Sequence, residues 1–289
     1  MTIGFIGLGN MGSPIAKNLV EAGFKVQAHN RSLEKTKPLR DSGALIFVTA
    51  QEAVKEADVV ITMLSDDAAV KDVAAKILPV MKVGAVHLSM STIAPATAAK
   101  LQSIHQQHKV SYLASPVMGR PPAAAAKQLF ILLSGNASAK EKVQPVLQAV
   151  GQRTFDYGDD PSTAHTVKIT MNYMVFVITE MLSEVMLVAE KTGVDKQILL
   201  ETMTSTIFGA PVFKIYGEMI VKEKDNPNGF ATQLASKDLR LLQLTAADNK
   251  MNLPLADVIQ NNFTEMISNG EGQKDLSLLI SHLRKKLNH

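Results

Sequence analysis

The chain has 289 residues, of which 46% are hydrophobic and 20% charged, which predicts two globular domains with a sizeable core. The formal net charge is only +3 and the lysines and arginines are interspersed, which argues against nucleic acid as a partner. Cysteine is absent, so disulfides, thiolate catalysis and cysteine-ligated zinc are excluded.

Up to about residue 160 the chain alternates β-rich runs with amphipathic helical runs. Strands are predicted at Thr2–Leu8, Phe24–His29, Ala44–Val48, Val59–Leu64, Ala85–Met90, Val110–Leu113 and Leu129–Leu133. Helices are predicted between them at Ser13–Ala22, Leu33–Ser42, Thr49–Glu56, Asp67–Leu78 and Pro95–Gln107. This alternation predicts a doubly wound, mainly parallel α/β sheet.

After about Pro161 the pattern becomes wholly helical. One long helix is predicted over Thr163–Thr192, followed by shorter helices at Lys196–Thr204, Pro211–Val221, Thr232–Asn249, Pro254–Asn269 and Leu276–Asn288. We therefore expect an α/β domain over residues 1–162 and an all-α C-terminal domain over residues 163–289, joined by a long interdomain helix.

The most apolar stretch, Met171–Val188, is interrupted by polar residues that include Asn172 and Glu180. This pattern predicts a core helix and not a membrane span. Thr2–Leu8 is short and has no basic flank, so no secretory signal is predicted and a cytoplasmic location is expected.

A glycine-rich motif, Gly7-Leu8-Gly9-Asn10-Met11-Gly12, lies directly between the first predicted strand and the first predicted helix. In the dinucleotide-binding fingerprint of a Rossmann domain, the first glycine permits a tight turn and the second lets the backbone approach a pyrophosphate. The third lets the helix pack closely on the strand. An ordinary glycine-rich turn is the alternative, and the flanking strand and helix argue against it. We therefore predict a nicotinamide dinucleotide site here.

The second predicted strand ends at Asn30-Arg31-Ser32, and Lys35 follows one helical turn later. NAD sites place an acid at this strand end to bind the ribose hydroxyls, whereas a guanidinium can pair with a 2′-phosphate. Because the acid is missing and cations follow, NADP is predicted in preference to NAD. The alternative is that Arg31 is a solvated loop residue.

Two further strand ends carry Met63, Leu64, Ser65 and Thr92. Ligands of open α/β sheets bind at the carboxyl ends of strands, so we expect Leu64 and Ser65 along the cofactor and Thr92 near the nicotinamide ring. The alternative is local loop chemistry, because Ser and Thr also cap helices.

Lys168 and Asn172 share one face of the long predicted helix, since they are four residues apart. Periodicity alone favours a surface lysine, although a lysine in a dry cleft could transfer a proton to a carbonyl or hydroxyl. His105 and His108 lack a third ligand, so no metal site is predicted.

With these residues the whole chain resembles the β-hydroxyacid dehydrogenase family, which includes 3-hydroxyisobutyrate dehydrogenase. The resemblance rests on the segment Gly4–Pro14, on Met90-Ser91-Thr92, on Lys168–Asn172, on Lys237-Asp238-Leu239, and on Gly270-Glu271-Gly272 with Asp275 and Ser277. It implies that Lys168 is the catalytic lysine and that Lys237 reaches toward the cofactor and substrate. We expect Asn172 to fix the catalytic lysine and to bind substrate. The resemblance also implies an active site in the cleft between the domains and a homodimer or higher homo-oligomer formed through the helical half.

One segment departs from the family pattern. Met118, Gly119 and Arg120 stand where the resemblance would place a serine and two glycines that hold the substrate carboxylate. Met118 has no hydrogen-bond donor and Arg120 adds a charge. This indicates either a carboxylate held by a guanidinium or a larger, more apolar substrate.

The expected function is therefore NADP-dependent hydride transfer to or from a small-molecule substrate, a hydroxy acid or an aldehyde or keto acid. Compounds like 3-hydroxyisobutyrate, glyoxylate or a semialdehyde are the candidates. The chain also resembles NADPH-dependent imine reductases, which usually lack a lysine at position 168. A non-catalytic NADP-binding module is the alternative from another class, and Lys168, Asn172 and Lys237 argue against it.

Overall fold

The computed structural model describes residues 1–227 and 229–287. Its contacts divide the chain into two compact units, Met1–Lys168 and Ile169–His289. The division falls inside one continuous helix, Pro161–Thr192, so this helix contributes residues to each unit.

The first unit is built on a nine-stranded sheet. The strands are β1 Thr2–Ile6, β2 Lys25–His29, β3 Leu45–Ile46, β4 Val59–Thr62, β5 Val86–Ser89, β6 Ser111–Ala114, β7 Val117–Met118, β8 Leu129–Gly135 and β9 Gly151–Asp156. Six of them are parallel and lie in the order β3-β2-β1-β4-β5-β6, which is the Rossmann order. The strand β8 pairs antiparallel with β6 and β7 and parallel with β9.

Eight α-helices are described up to residue 192. They are α1 Gly12–Glu21, α2 Lys37–Asp41, α3 Ala50–Val54, α4 Asp67–Ile77, α5 Pro95–Gln107, α6 Pro121–Ala125, α7 Ala137–Val150 and α8 Pro161–Thr192. The central strands are buried on both faces, as expected for a parallel sheet covered by helices. The predicted fold class is confirmed.

Several predicted elements differ from the structure. Leu33–Ser42 is not one helix: a 3-10 helix covers Leu33–Thr36, and α2 then starts with Pro38 in its first turn. A proline has no backbone N–H to continue a preceding helix, which explains the break. Four further elements, β7, α6, α7 and β9, were not predicted from the sequence. Pro145 lies inside α7 and obscures its helical pattern, while β9 is largely exposed and lacks a buried alternation.

In the described residues of the second unit the regular secondary structure is helical, apart from one isolated bridge, Ala231 to Asp275. Its core includes Phe176 of α8, whose ring centroid lies 5.7 Å from that of Phe263. The predicted helix Leu276–Asn288 is a 3-10 helix over Leu276–Leu278 followed by a separate α-helix, and Asn288 lies outside the described residues. The helices are α9 Lys196–Thr204, α10 Pro211–Lys222, α11 Thr232–Asp248, α12 Pro254–Ser268 and α13 Leu279–Leu287.

Buried Asp275 holds the start of α11 in place. Its Oδ2 accepts from Phe230 N at 2.8 Å and its Oδ1 from Ser277 N at 2.9 Å. The N–H of Thr232, the first residue of α11, donates to Lys274 O at 2.9 Å. These bonds fix the entry to the helix that carries Lys237 and Asp238.

Within the described residues, α8 is the one helix whose length and composition would allow it to cross a membrane. Of the 18-residue window that meets these criteria, 44% is buried. The core helix of a globular protein meets the same criteria, so this finding is weak evidence for a membrane span.

Candidate functional site

The glycine-rich turn connects β1 to α1 and is shaped by the absence of side chains. Gly7 has φ +103°, and a Cβ on it would overlap the carbonyl oxygen of Met63. A Cβ on Gly12 would overlap the carbonyl oxygen of Gly7. A Cβ on Gly9, in contrast, would meet nothing within 4 Å, so the backbone there is open to a ligand.

This turn fits the pyrophosphate of a nicotinamide dinucleotide. Helix α1 begins at Gly12, three residues after the open backbone at Gly9, and has no acidic residue in its first turn. The partial positive charge at a helix N-terminus then stabilises phosphate. The turn also lies between β1 and β4, where the strand order reverses and dinucleotides bind.

Asn30, at the end of β2, is attached to the same turn. Its Oδ1 accepts from Leu8 N at 2.8 Å, and its Nδ2 donates to Ser32 O at 2.9 Å. Both ends of the amide are therefore engaged with the backbone. Arg31 and Lys35 are exposed beside it.

The ends of β4 and β5 are joined by a buried side chain. The Oγ of Ser91 accepts from Leu64 N at 2.8 Å and lies 3.4 Å from Thr62 O. Ser91 lies in the strand-end motif Met90-Ser91-Thr92, but this bridging role was not predicted from the sequence.

Ser65 and Thr92 do not cap the helices that follow them. Asp66 caps α4 through its bond from Ala69 N, and Ser65 Oγ donates to Asp66 Oδ2 at 2.7 Å. The N-cap of α5 is Ala94. Neither Ser65 nor Thr92 is therefore the N-cap residue of the helix that follows it. Their predicted position along the cofactor stays a prediction.

A chain of hydrogen bonds runs from the end of β4 into the interior of the first unit. Thr62 Oγ1 lies 2.9 Å from His87 Nε2, and His87 Nδ1 lies 2.7 Å from His105 Nε2. His105 Nδ1 lies 2.6 Å from Leu101 O, which can only accept. His105 Nδ1 must therefore carry the proton, so His105 Nε2 accepts from His87 Nδ1, and His87 Nε2 accepts from Thr62 Oγ1. Both imidazoles are then neutral.

Burial enforces this neutral state. It lowers the pKa of His87 well below 6.5 and the pKa of His105 to about 4. His105 is fully buried and its ring lies beside that of Tyr112.

Lys168 is only 8% exposed, although periodicity alone favoured a surface position. Its Nζ lies 3.4 Å from Met118 Sδ. Met118 ends β7, Gly119 follows with φ +139°, and Arg120 is the half-buried residue that precedes α6. The structure therefore brings Lys168 together with the Met118–Arg120 segment that departs from the family pattern.

In the second unit, Asn172 and Lys237 meet at the same carboxylate. Asn172 Nδ2 donates to Asp238 Oδ2 at 2.6 Å, and Lys237 Nζ lies 2.8 Å from Asp238 Oδ1. Asn172 and Asp238 are each 4% exposed. Asp238 lies in the Lys237-Asp238-Leu239 motif, but its part in orienting these two side chains was not predicted from the sequence. The sequence signal that could have predicted this role is the acidic residue Asp238 directly after the candidate site residue Lys237.

No group of three His, Cys, Asp or Glu side chains that could hold a metal ion is found in residues 1–227 and 229–287.

Two protein-family models together match almost the whole chain. Residues 2–158 match the NAD binding domain of 6-phosphogluconate dehydrogenase. Residues 162–283 match the NAD-binding region of NADP-dependent 3-hydroxyisobutyrate dehydrogenase.

Characterised and uncharacterised relatives match over the full length. An uncharacterised oxidoreductase of Bacillus subtilis is 39% identical, with 98% of this chain and all of the relative covered. An NAD-dependent L-serine dehydrogenase of Pseudomonas aeruginosa is 29% identical, with 96% of each chain covered.

Among solved structures, 3-hydroxyisobutyrate dehydrogenase of Mycobacterium tuberculosis with L-serine superposes with a TM-score of 0.87. It is 27% identical and covers 98% of this chain and 99% of its own. The predicted family is thus confirmed, and the relatives' names support an enzyme over a non-catalytic binding module. The chain belongs to the β-hydroxyacid dehydrogenase family and is an NAD(P)-dependent oxidoreductase acting on CH–OH groups.

Proposed function

We propose that this chain uses NADP to interconvert a small hydroxy acid with the matching aldehyde or keto acid, and that Lys168 moves the proton. The observation that supports this most strongly is the burial of Lys168, which is 8% exposed. Lysine side chains are rarely buried to this degree. Lys168 stands one helical turn from Asn172, which is itself buried.

In reduction, the Lys168 ammonium donates a proton to the substrate oxygen, and in oxidation the amine accepts it. The bound nicotinamide supplies or accepts the hydride. Asp238 orients the Asn172 amide through its 2.6 Å hydrogen bond, so Asn172 is held ready to bind the substrate or the lysine. Lys237, paired with the same carboxylate, is proposed to reach toward the cofactor.

The proposed preference for NADP depends on the end of β2. Asn30 supplies no charge there, while Arg31 and Lys35 are exposed cations that suit a 2′-phosphate. The relatives do not decide this point, because one is named NAD-dependent and one family description names NADP. The proposed cofactor site also includes Gly7–Gly12, Met63–Ser65 and Thr92.

A cytoplasmic location and a homo-oligomer formed through the helical unit belong to the same proposal. Three exposed apolar side chains of α8, Met174, Met181 and Val188, recur every seven residues and would suit such an interface. An imine reductase activity is the less favoured alternative, because Lys168 provides the proton donor that a carbonyl reductase needs.

The test measures NADPH and NADH oxidation with a panel of small aldehyde and keto acids and cyclic imines. We expect turnover of an aldehyde or keto acid, faster with NADPH. Lys168→Ala should lower this turnover by about 100-fold or more with little change in cofactor affinity. Lys100→Ala, which removes an exposed lysine of α5, is the matched control and should retain activity.

Equal turnover in Lys168→Ala would remove this residue from the mechanism. A preference for NADH would contradict the role given to Arg31 and Lys35. Turnover of imines alone would favour the imine reductase alternative.

A further inference from the structure

The β4 loop, residues 63–66, and the β5 loop, residues 90–94, follow two neighbouring parallel strands. Ser91 Oγ in the β5 loop accepts from Leu64 N in the β4 loop at 2.8 Å. Because Ser91 is fully buried, water does not compete for this bond. The two loops are thus joined close to the ends of their strands.

A second contact joins the starts of the helices that follow these loops. Asp67 is the first residue of α4, and Ala94 is the N-cap of α5. The Oδ1 of Asp67 accepts from Ala94 N at 3.0 Å. Pro95 comes next and restricts the backbone of Ala94 to the extended conformation that it has here. The spacing of the two loops is therefore fixed near both ends.

The β4 loop also contacts the glycine-rich turn. A Cβ on Gly7 would lie 3.0 Å from Leu64 Cδ2, so the leucine side chain packs against the turn. Leu64 therefore contacts the turn with its side chain and the β5 loop with its N–H. Thr92, which we expect near the nicotinamide ring, lies in the β5 loop. These contacts together set how far Thr92 lies from the turn that fits the pyrophosphate.

The position of the two loops indicates which half of the cofactor they face. A dinucleotide lies across the point where the strand order reverses, with one nucleotide half on each side. The adenosine ribose belongs at the end of β2. Strands β4 and β5 lie on the opposite side of β1 from β2. The joined loops therefore face the nicotinamide half.

We propose that Asp67 and Ser91 are positioning residues that hold the β4 and β5 loops at a fixed spacing for the nicotinamide half of the cofactor. Loops that are ordered before binding cost less conformational entropy when the nicotinamide binds. This inference rests on the proposed placement of the cofactor, and it is independent of the proposed substrate and of Lys168.

The experiment compares the calorimetric Kd of NADPH with that of 2′-phospho-ADP-ribose, which lacks the nicotinamide. In Asp67→Ala the Kd of NADPH should rise by about fivefold, and that of the fragment by less than about twofold. The same comparison of NADH with ADP-ribose makes the test independent of the preference for NADP. No substrate is needed.

Three further variants sharpen the test. Ser91→Ala removes the acceptor of Leu64 N and should affect the whole cofactor more than the fragment, as Asp67→Ala does. Asp67→Asn keeps an acceptor oxygen for Ala94 N and should retain the unmodified affinities. Asp72→Ala removes an exposed acid from the same helix and should change neither affinity. A general loss of structure would lower Tm and weaken both ligands alike.

Unchanged affinities in Asp67→Ala, or equal losses of NADPH and its fragment, would overturn the positioning role. If Asp67→Asn behaved like Asp67→Ala, the charge of the carboxylate and not its contact with Ala94 would be responsible, and the inference would also be wrong. None of these results bears on Lys168, because no turnover is measured. An unmodified enzyme that binds neither NADPH nor NADH would instead refute the proposed cofactor site itself.

Discussion

The glycine-rich turn and the ends of β4 and β5 lie at the same edge of the parallel sheet, but different features determine their structures. The turn is shaped by missing side chains: Gly7 and Gly12 have no room for a Cβ, and Gly9 leaves its backbone open. The strand ends are held by side chains, with Ser91 bridging β4 and β5 and with His87 and His105 bonded in series behind Thr62.

This difference predicts which kind of change should disrupt the structure of each region. The turn should respond to added volume and be indifferent to pH, because it contains no titrating group. The hydrogen-bonded chain should respond to protons, because each imidazole must stay neutral for all its bonds to form. Asn30 is the exception, a side chain that holds the turn.

The largest effect is expected at Gly12. Gly12→Ala would place a methyl group against the carbonyl oxygen of Gly7, and both atoms belong to rigid backbone. We expect the free energy of unfolding to fall by about 3 kcal/mol, at the upper end for overpacking. Urea denaturation of both proteins measures this change.

Gly9→Ala is the matched variant, since the same methyl group meets nothing within 4 Å. Its free energy of unfolding should change by less than about 0.5 kcal/mol. Its NADP affinity, measured by calorimetry, should fall by about tenfold, because the methyl group occupies the approach of the pyrophosphate. If Gly9→Ala binds NADP normally, the cofactor phosphates do not lie against this residue.

The sequence predicted the parts of the molecule that local pattern determines. Alternating strands and helices, and the glycine spacing from Gly7 to Gly12, follow from backbone geometry within a short stretch of chain. The same reasoning failed at α7, because Pro145 interrupts its pattern, and at β9, because an exposed edge strand needs no apolar alternation.

The contacts between distant side chains were beyond sequence reasoning. Met118 and Lys168 are 50 residues apart, and Asn172 and Asp238 are 66 apart. Which side chains meet depends on tertiary packing, for which a single sequence contains no periodic signal. The resemblance to the family identified Lys168 and Asn172, but neither the sulfur beside Lys168 nor the carboxylate beside Asn172.

An intermediate effect is expected when the buried histidines are exposed to acid. Below pH 6.5 the unfolded chain binds protons at His105, whereas the folded chain resists them until its pKa of about 4. The free energy of unfolding should therefore fall as the pH is lowered, by about 2 kcal/mol between pH 7 and pH 5 from His105 alone. Urea denaturation at several pH values measures this slope.

The double variant His87→Leu/His105→Leu should show a shallower slope over this pH range, even if its stability at pH 7 is lower. His108→Gln is the control: His108 is exposed and is the smallest of the causes that lower the pKa of His105, so its removal should change the slope only slightly. A double variant with the full slope would show that other groups cause the acid sensitivity.

The smallest effect is expected at Asn30. Asn30→Asp keeps an acceptor for Leu8 N but loses the donor to Ser32 O and adds a negative charge beside the proposed 2′-phosphate site. NADP affinity should fall by about tenfold, because like charges repel, while NAD affinity should change by less than about twofold. Calorimetric titration with each oxidised cofactor measures both values.

Asn30→Ala separates the charge from the hydrogen bonds. It removes both amide contacts without adding a charge, so it should weaken NADP and NAD binding to the same extent by loosening the turn at Leu8. Equal losses of both cofactors in Asn30→Asp would mean that no phosphate lies near this strand end. Unchanged binding in Asn30→Ala would mean that the glycines alone hold the turn. Backbone geometry would then account for the whole turn, whereas side chains hold the ends of β4 and β5.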